Sequence, residues 1–229
     1  MIYGLLGILL ISLVFAPSLW VRYVMRKYST DRSDIPGSGG ELARHLLQRF
    51  NMPETTVEET RAGGDHYDPL TNCVRLSPGN FQGRSLTAVA VAAHEVGHAL
   101  QFHRQEPVSK LWNQYMPWAN RLKRIGALLF MLAPLATALV HAPAAALIPA
   151  AIAIISLLAS VISYLFVLPM EWDASFGKAL PILSAGDYID EQHLPVIRRV
   201  LKAAAFTYLA VALMDIIRLW RWGRMLRPL

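Results

Sequence analysis

The sequence predicts a mainly α-helical membrane protein, with transmembrane helices carrying a small α+β domain that contains a short sheet. Composition is the first reason. The 229 residues are 54% hydrophobic and 17% charged, and the mean hydropathy is +0.35. That is too apolar for an ordinary soluble domain of this size. Charge placement is the second. The net charge of +6 does not mark a nucleic-acid partner, because the Lys and Arg residues sit at the ends of apolar segments, as membrane anchors do. The third is a central stretch where turn residues, short strand patterns and one alanine-rich helical pattern replace the long apolar runs.

Residues 1–28 read as an N-terminal transmembrane helix. Ile2 to Val24 is uncharged until Arg22. A cleaved signal peptide would need a positive leading region and a small-x-small site, and neither is present. Arg22, Arg26, Lys27 and Arg32 follow the run, so the positive-inside rule sets the next domain in the cytoplasm, at the plasma membrane. Cys73 is the only cysteine, so no internal disulfide can form.

Residues 29–124 are expected to form the catalytic domain. Asp31–Gly40 is a turn-rich linker, and Glu41–Phe50 has the apolar spacing of a short amphipathic helix. Thr55–Thr60, His66-Tyr67 and Val74-Arg75-Leu76 are candidate strands, with a hairpin turn at Asp68–Asn72. Pro78 and Gly79 end the hairpin, and Ser85 caps the helix that follows.

That helix, Thr87–Gln101, contains His94-Glu95-Val96-Gly97-His98. Residues 94 and 98 are one helical turn apart, so both imidazoles leave one face. Two imidazoles at that spacing can share one Zn²⁺, and Glu95 then lies where a water activated by the metal needs a base. The string alone arises by chance, but its context favours the metal. The alanines around it make a thin helix, Gly97 admits a close backbone, and buried His and Glu side chains are costly unless something pairs them.

Arg104–Arg124 carries Trp112, Tyr115 and Trp118. It reads either as a helix with a packed aromatic face or as an interfacial segment. Residues 125–168 read as a transmembrane hairpin, Ile125–Val140 and Ala144–Leu168, turning at His141-Ala142-Pro143. The hairpin would return the chain to the side it left. Residues 169–202 would then supply a third zinc ligand at that face. Glu171 is preferred, and His66, His103, Asp173 and His193 are the other candidates. Two imidazoles and one carboxylate leave an open position, as catalytic zinc requires. Asp187–Lys202 looks helical. Residues 203–229 form a C-terminal apolar helix, Ala203–Ile217, and a basic tail whose membrane placement stays open.

Several runs together resemble a family. Gly64-Asp65-His66-Tyr67-Asp68-Pro69, Val74-Arg75-Leu76-Ser77, the stretch Ser85–Ala99 and Glu171-Trp172-Asp173-Ala174-Ser175 are similar to bacterial membrane-embedded neutral zinc metallopeptidases of the YugP type. The resemblance covers nearly the whole chain. It implies a zincin-like, gluzincin-type site in which His94, His98 and Glu171 bind Zn²⁺ and Glu95 is the catalytic base. Membrane CAAX-type proteases are similar more distantly. They commonly carry an aspartate four residues after the ligand Glu, where this chain has Ser175, and a supporting role for Asp173 or Ser175 stays open. An oxyanion donor is still required. His66 is the first candidate, with Tyr67 and His193 behind it.

The expected function is therefore a membrane-anchored zinc metalloendopeptidase. Its substrate would be a peptide or protein associated with the membrane, and its partners the lipid bilayer and unspecified membrane proteins. Two alternatives stand beside it. An intramembrane site-2-type protease needs its motif inside a span, yet Arg84 and Arg104 bracket this one closely. A zinc-stabilised scaffold without turnover has no use for Glu95.

Overall fold

The computed structural model describes residues 2–140, 151–152, 155, 163, 167–207 and 210. The described residues are mostly helical, with one three-stranded sheet among them. It divides into two compact units. The first comprises Met1–Phe15, Leu111–Val167 and Tyr208–Leu229, and the second Ala16–Lys110 and Leu168–Thr207.

The second unit is built around helix α4, Leu86–His103. Ser85 starts it, its hydroxyl accepting from Ala88 N at 3.1 Å. Residues 86–101 are all buried, so this helix is wrapped on every side. Helix α1, Ile2–Lys27, ends against its first turn. Thr87 Oγ1 donates to Met25 O and Thr87 N to Tyr28 O, which gives partners to carbonyls that a helix C-terminus leaves free. Helix α2, Gly39–Arg49, starts on a capping box between Ser38 and Glu41 and buries Ala43, Leu46 and Leu47.

Strands β1 (Thr56–Glu59), β2 (His66–Asp68) and β3 (Cys73–Leu76) pair in the order β1-β3-β2. β1 runs parallel and β2 antiparallel to β3, with His66 opposite Arg75 and Tyr67 opposite Val74. The expected hairpin is present, and β2 is an edge strand. Arg75 points away from the core and pairs with Asp68 at 2.6 Å. The Arg75 guanidinium holds the Asp68 carboxyl at about 2, below its ordinary value. Helix α3, Pro78–Phe81, leads into α4.

Residues 167–172 are helical and widen into a π-helix, Asp173–Ala179. Helix α6, Leu180–Ala185, follows. The helix expected from Asp187 starts later, with a single 3-10 turn at Glu191–His193 and then helix α7, Leu194–Ala205. Asp187 sits at φ +54°, outside helical space, and Pro195 fits the first turn, where a helix tolerates proline. The π-helix and α7 both pack on α4. Gly97 makes the first of these contacts possible, since a Cβ there would lie 2.8 Å from Ala174 O.

In the first unit, helix α5 (Pro107–Val140) carries Tyr115 and Trp118, which are 51% and 69% exposed. Arg121 lies over the Trp118 ring at 5.5 Å, while Trp112 lines a small cavity with Met116 and Val167.

The transmembrane architecture is corrected. Among the described residues no helix is long and apolar enough to cross a membrane. The part of α1 whose side chains are described ends on Arg22, Arg26 and Lys27. The first half of α5 carries Lys110, Arg121, Lys123 and Arg124. Its charge-free remainder, 125–140, rises about 24 Å, short of the ~30 Å hydrocarbon core. The turn at 141–143, most of the arm 144–168, and nearly all of the C-terminal segment from 208 onward lie outside the described residues.

The Gly97 contact has a measurable consequence. Gly97→Val should lower unfolding stability by about 1–3 kcal/mol, the usual cost of overpacking. Gly79→Ala, where a Cβ meets nothing within 4 Å, should stay within about 0.5 kcal/mol of the parent. Denaturation of the two variants side by side checks this, and equal effects would remove the packing account.

Candidate metal centre

Three buried donors converge between α4 and the helical turn at 171. His94 and His98 leave α4 on one face, 4% and 6% exposed, and Glu171 is 2% exposed. Glu171 Oε2 lies 3.2 Å from His94 Nε2, and Oε1 lies 3.4 Å from His98 Nε2. The two Nε2 atoms are 3.2 Å apart. One ligand atom from each residue lies within 4.8 Å of the others.

The hydrogen bonds behind the rings decide what faces inward. The Ser175 hydroxyl has one proton and donates it to Leu201 O at 3.0 Å. Its oxygen therefore accepts from His94 Nδ1, also at 3.0 Å. The Gln101 amide donates to Met170 O at 2.9 Å and to Asp173 Oδ2 at 2.8 Å. Its carbonyl oxygen then accepts from His98 Nδ1 at 3.0 Å. With both Nδ1 atoms turned to these acceptors, it is the Nε2 atoms that face the carboxylate. Two ring nitrogens and a carboxylate meet in a buried interior, an arrangement that demands positive charge, as a proton or a metal.

Electrostatics state the same demand. Burial pulls the His98 imidazolium down, but the Glu171 carboxylate outweighs it and pushes the pKa up to about 9. Burial would raise Glu171, yet the two rings overcome it and hold the group at about 2. One proton can bridge only one pair, whereas a divalent cation accepts all three lone pairs at once. Two imidazoles and a carboxylate suit zinc in donor softness.

Glu95 is buried beside this group, 6% exposed. Burial pushes its carboxyl up, opposed by His94 and His98 and assisted by Glu171 and Asp65. A carboxyl raised in this way moves toward the range where a base works at neutral pH.

The other candidates lie elsewhere. His66 is exposed on β2, its Nδ1 donating to Gly64 O at 2.7 Å. Tyr67 stacks on Phe102 with ring centroids 5.5 Å apart and commits its hydroxyl proton to Asn72 Oδ1. His103 is exposed at the end of α4. Asp173 holds Gln101 and Lys178. His193 joins Asp34 and Asp190 in a separate group at the surface, where Arg32 pairs with Asp34. Sequence reasoning did not single out Gln101. Its signal was its place three residues after His98, on the same helical face.

Comparison with known proteins agrees with this chemistry. Residues 3–227 match the family model described as "Putative neutral zinc metallopeptidase". The chain is 34% identical over 223 residues to the "Putative membrane protease YugP" of Bacillus subtilis (strain 168), covering 97% of this chain and 95% of that protein. No solved structure matches.

Convergent acceptors make the folded state a better zinc binder than the unfolded one. Zinc at 100 times its Kd should stabilise the chain by about 2.7 kcal/mol. His94→Ala should lose most of that gain. Thermal unfolding with and without zinc measures both, and an equal zinc response in the variant would exclude His94 from the centre.

Proposed function

The chain belongs to the neutral zinc metallopeptidase family, and on that premise we propose that it is an endopeptidase acting on polypeptides at the cytoplasmic face of the cell membrane. Zinc is its cofactor. In this reading His94, His98 and Glu171 are the ligands. The observation that carries it is the dry convergence of two Nε2 lone pairs on the Glu171 carboxylate. The donor count favours catalysis over scaffolding, because catalytic zinc sites take three protein ligands and structural sites take four. Among the described residues the group holds three.

Zinc, when bound, supplies a Lewis acid that polarises the scissile carbonyl and acidifies water. The remaining steps belong to the chain. Glu95, its carboxyl raised by burial, takes the proton of the attacking water on a carboxylate oxygen and passes it to the leaving amine nitrogen. The edge strand β2 packs on α4. Its outer edge takes an extended peptide by strand addition, which lays the substrate backbone along the metal helix.

Membrane placement rests on the printed name of the Bacillus subtilis relative and on exposed side chains in each unit. In the second unit, Leu19 and Tyr23 are exposed on α1 beside Arg22 and Arg26. In the first, Tyr115, Trp118, Ile125 and Leu128 are exposed on α5. Aromatic rings favour the headgroup level, and arginines favour an anionic leaflet.

Two experiments test this function. Glu95→Gln keeps size and zinc but should reduce peptide cleavage at least ~10²-fold, the low end for general acid–base catalysis. Glu171→Gln should instead weaken zinc binding, with activity partly restored by added zinc. Loss of zinc in the first variant and retention with full activity in the second would reverse the roles. For the membrane, Arg22→Glu with Arg26→Glu should weaken binding to phosphatidylserine-containing vesicles by about 1 kcal/mol per residue. Binding indifferent to phosphatidylserine would count against that surface.

A further inference from the structure

We propose that Gln101 is a positioning residue that sets the tautomer of His98, and that the ion-pair chain Glu106–Lys178–Asp173 sets the orientation of Gln101. The proposal rests on His98 being a zinc ligand. A primary amide can turn over, exchanging its oxygen and nitrogen. In one orientation Gln101 accepts from His98 Nδ1 and leaves Nε2 bare. In the other it donates to Nδ1, which moves the imidazole proton to Nε2 and aims that proton at the metal position. The choice between them decides whether His98 can be a ligand.

Surroundings make the choice. The amide nitrogen lies 2.9 Å from Met170 O and 2.8 Å from Asp173 Oδ2. Turning it over would set the amide oxygen against a carbonyl and a carboxylate. Gln101 is 0% exposed, so water does not soften that repulsion. Asp173 is itself fixed. Lys178 Nζ reaches its Oδ2 at 2.7 Å and Glu106 Oε2 at 3.0 Å. The absent Cβ of Gly177 clears the space that Asp173 Oδ1 occupies. The π-helix has a use here, because it brings Asp173 to Gln101 and Ser175 to His94 from a single turn. The two ligand imidazoles are thus held by different means. A hydroxyl serves His94, and an oriented carboxamide serves His98.

The test uses the full-length chain, zinc alone as the probe, and two readouts. Zinc affinity comes from competition with a chelator. The His98 tautomer comes from the ¹⁵N signals of its ring in the zinc-loaded chain. Gln101→Met keeps length and removes the acceptor. It should weaken zinc binding about 10–100-fold, as loss of such a partner does, and the His98 Nδ1 proton should exchange faster with solvent. Asp173→Asn keeps shape but removes the carboxylate that holds the Gln101 amide, so that only Met170 O still opposes the turned amide. Its zinc affinity and its Nδ1 proton exchange should fall between those of the parent and Gln101→Met. Unchanged affinity and unchanged ring signals in Gln101→Met overturn the proposal. If Gln101→Met does not fold, Asp173→Asn decides, and parent-like affinity and ring signals in that variant overturn the proposal too. The underlying reading fails separately, if the parent chain binds no zinc or His98→Ala binds it as well as the parent.

Discussion

Two imidazole lone pairs and one carboxylate share a dry pocket, with 3.2–3.4 Å between their nearest atoms. Without a cation this is a repulsive arrangement in a medium where repulsion is poorly screened. With a divalent metal the same three atoms become a ligand set. Much of the second unit bears on that one constraint. The protons behind the rings are directed away from the pocket by Ser175 and Gln101, and those residues are in turn held by Leu201 O, Met170 O and Asp173.

The backbone is arranged for close approach. A helix buried along residues 86–101 must admit neighbours on every face, and α4 does so by using alanine and glycine where larger residues would push them away. At Gly97 the chain of Ala174 comes near enough that a single methyl would collide. The π-helix contributes its wider turn. Its closing bond, Leu180 N to Ser175 O, spans five residues. Such turns occur often at functional sites, and this one carries both Asp173, which meets Gln101, and Ser175, which meets His94.

The edge strand β2 has a divided role. One face packs Tyr67 on Phe102 of α4, and its inner edge pairs with β3. Its outer edge faces away from the sheet, the usual place for an extended chain to add. Arg75 and Asp68 tie the hairpin together from the side away from the core, so the strand is presented from a braced element.

The sequence by itself determined the local features. The His-Glu-x-x-His face, the Ser85 cap, the β2–β3 hairpin and the zinc chemistry all depend on residues a few positions apart, where spacing and chain geometry leave little choice. Glu171 was reached across about 70 residues by supposing a hairpin that returned the chain to one side, and by the family resemblance. Transmembrane helices were expected from apolar composition, which measures hydrophobicity but not what covers it. An apolar helix such as α4 can be hidden by protein as readily as by lipid. Tertiary structure alone decided that Glu171 meets both histidines, that Gln101 and Ser175 stand behind them, and that the turn after Glu171 is a π-helix. Those are choices among partners distant in sequence. They depend on which backbones can approach, as Gly97 and Ala174 do, and on which buried polar groups are left needing one another once water is gone.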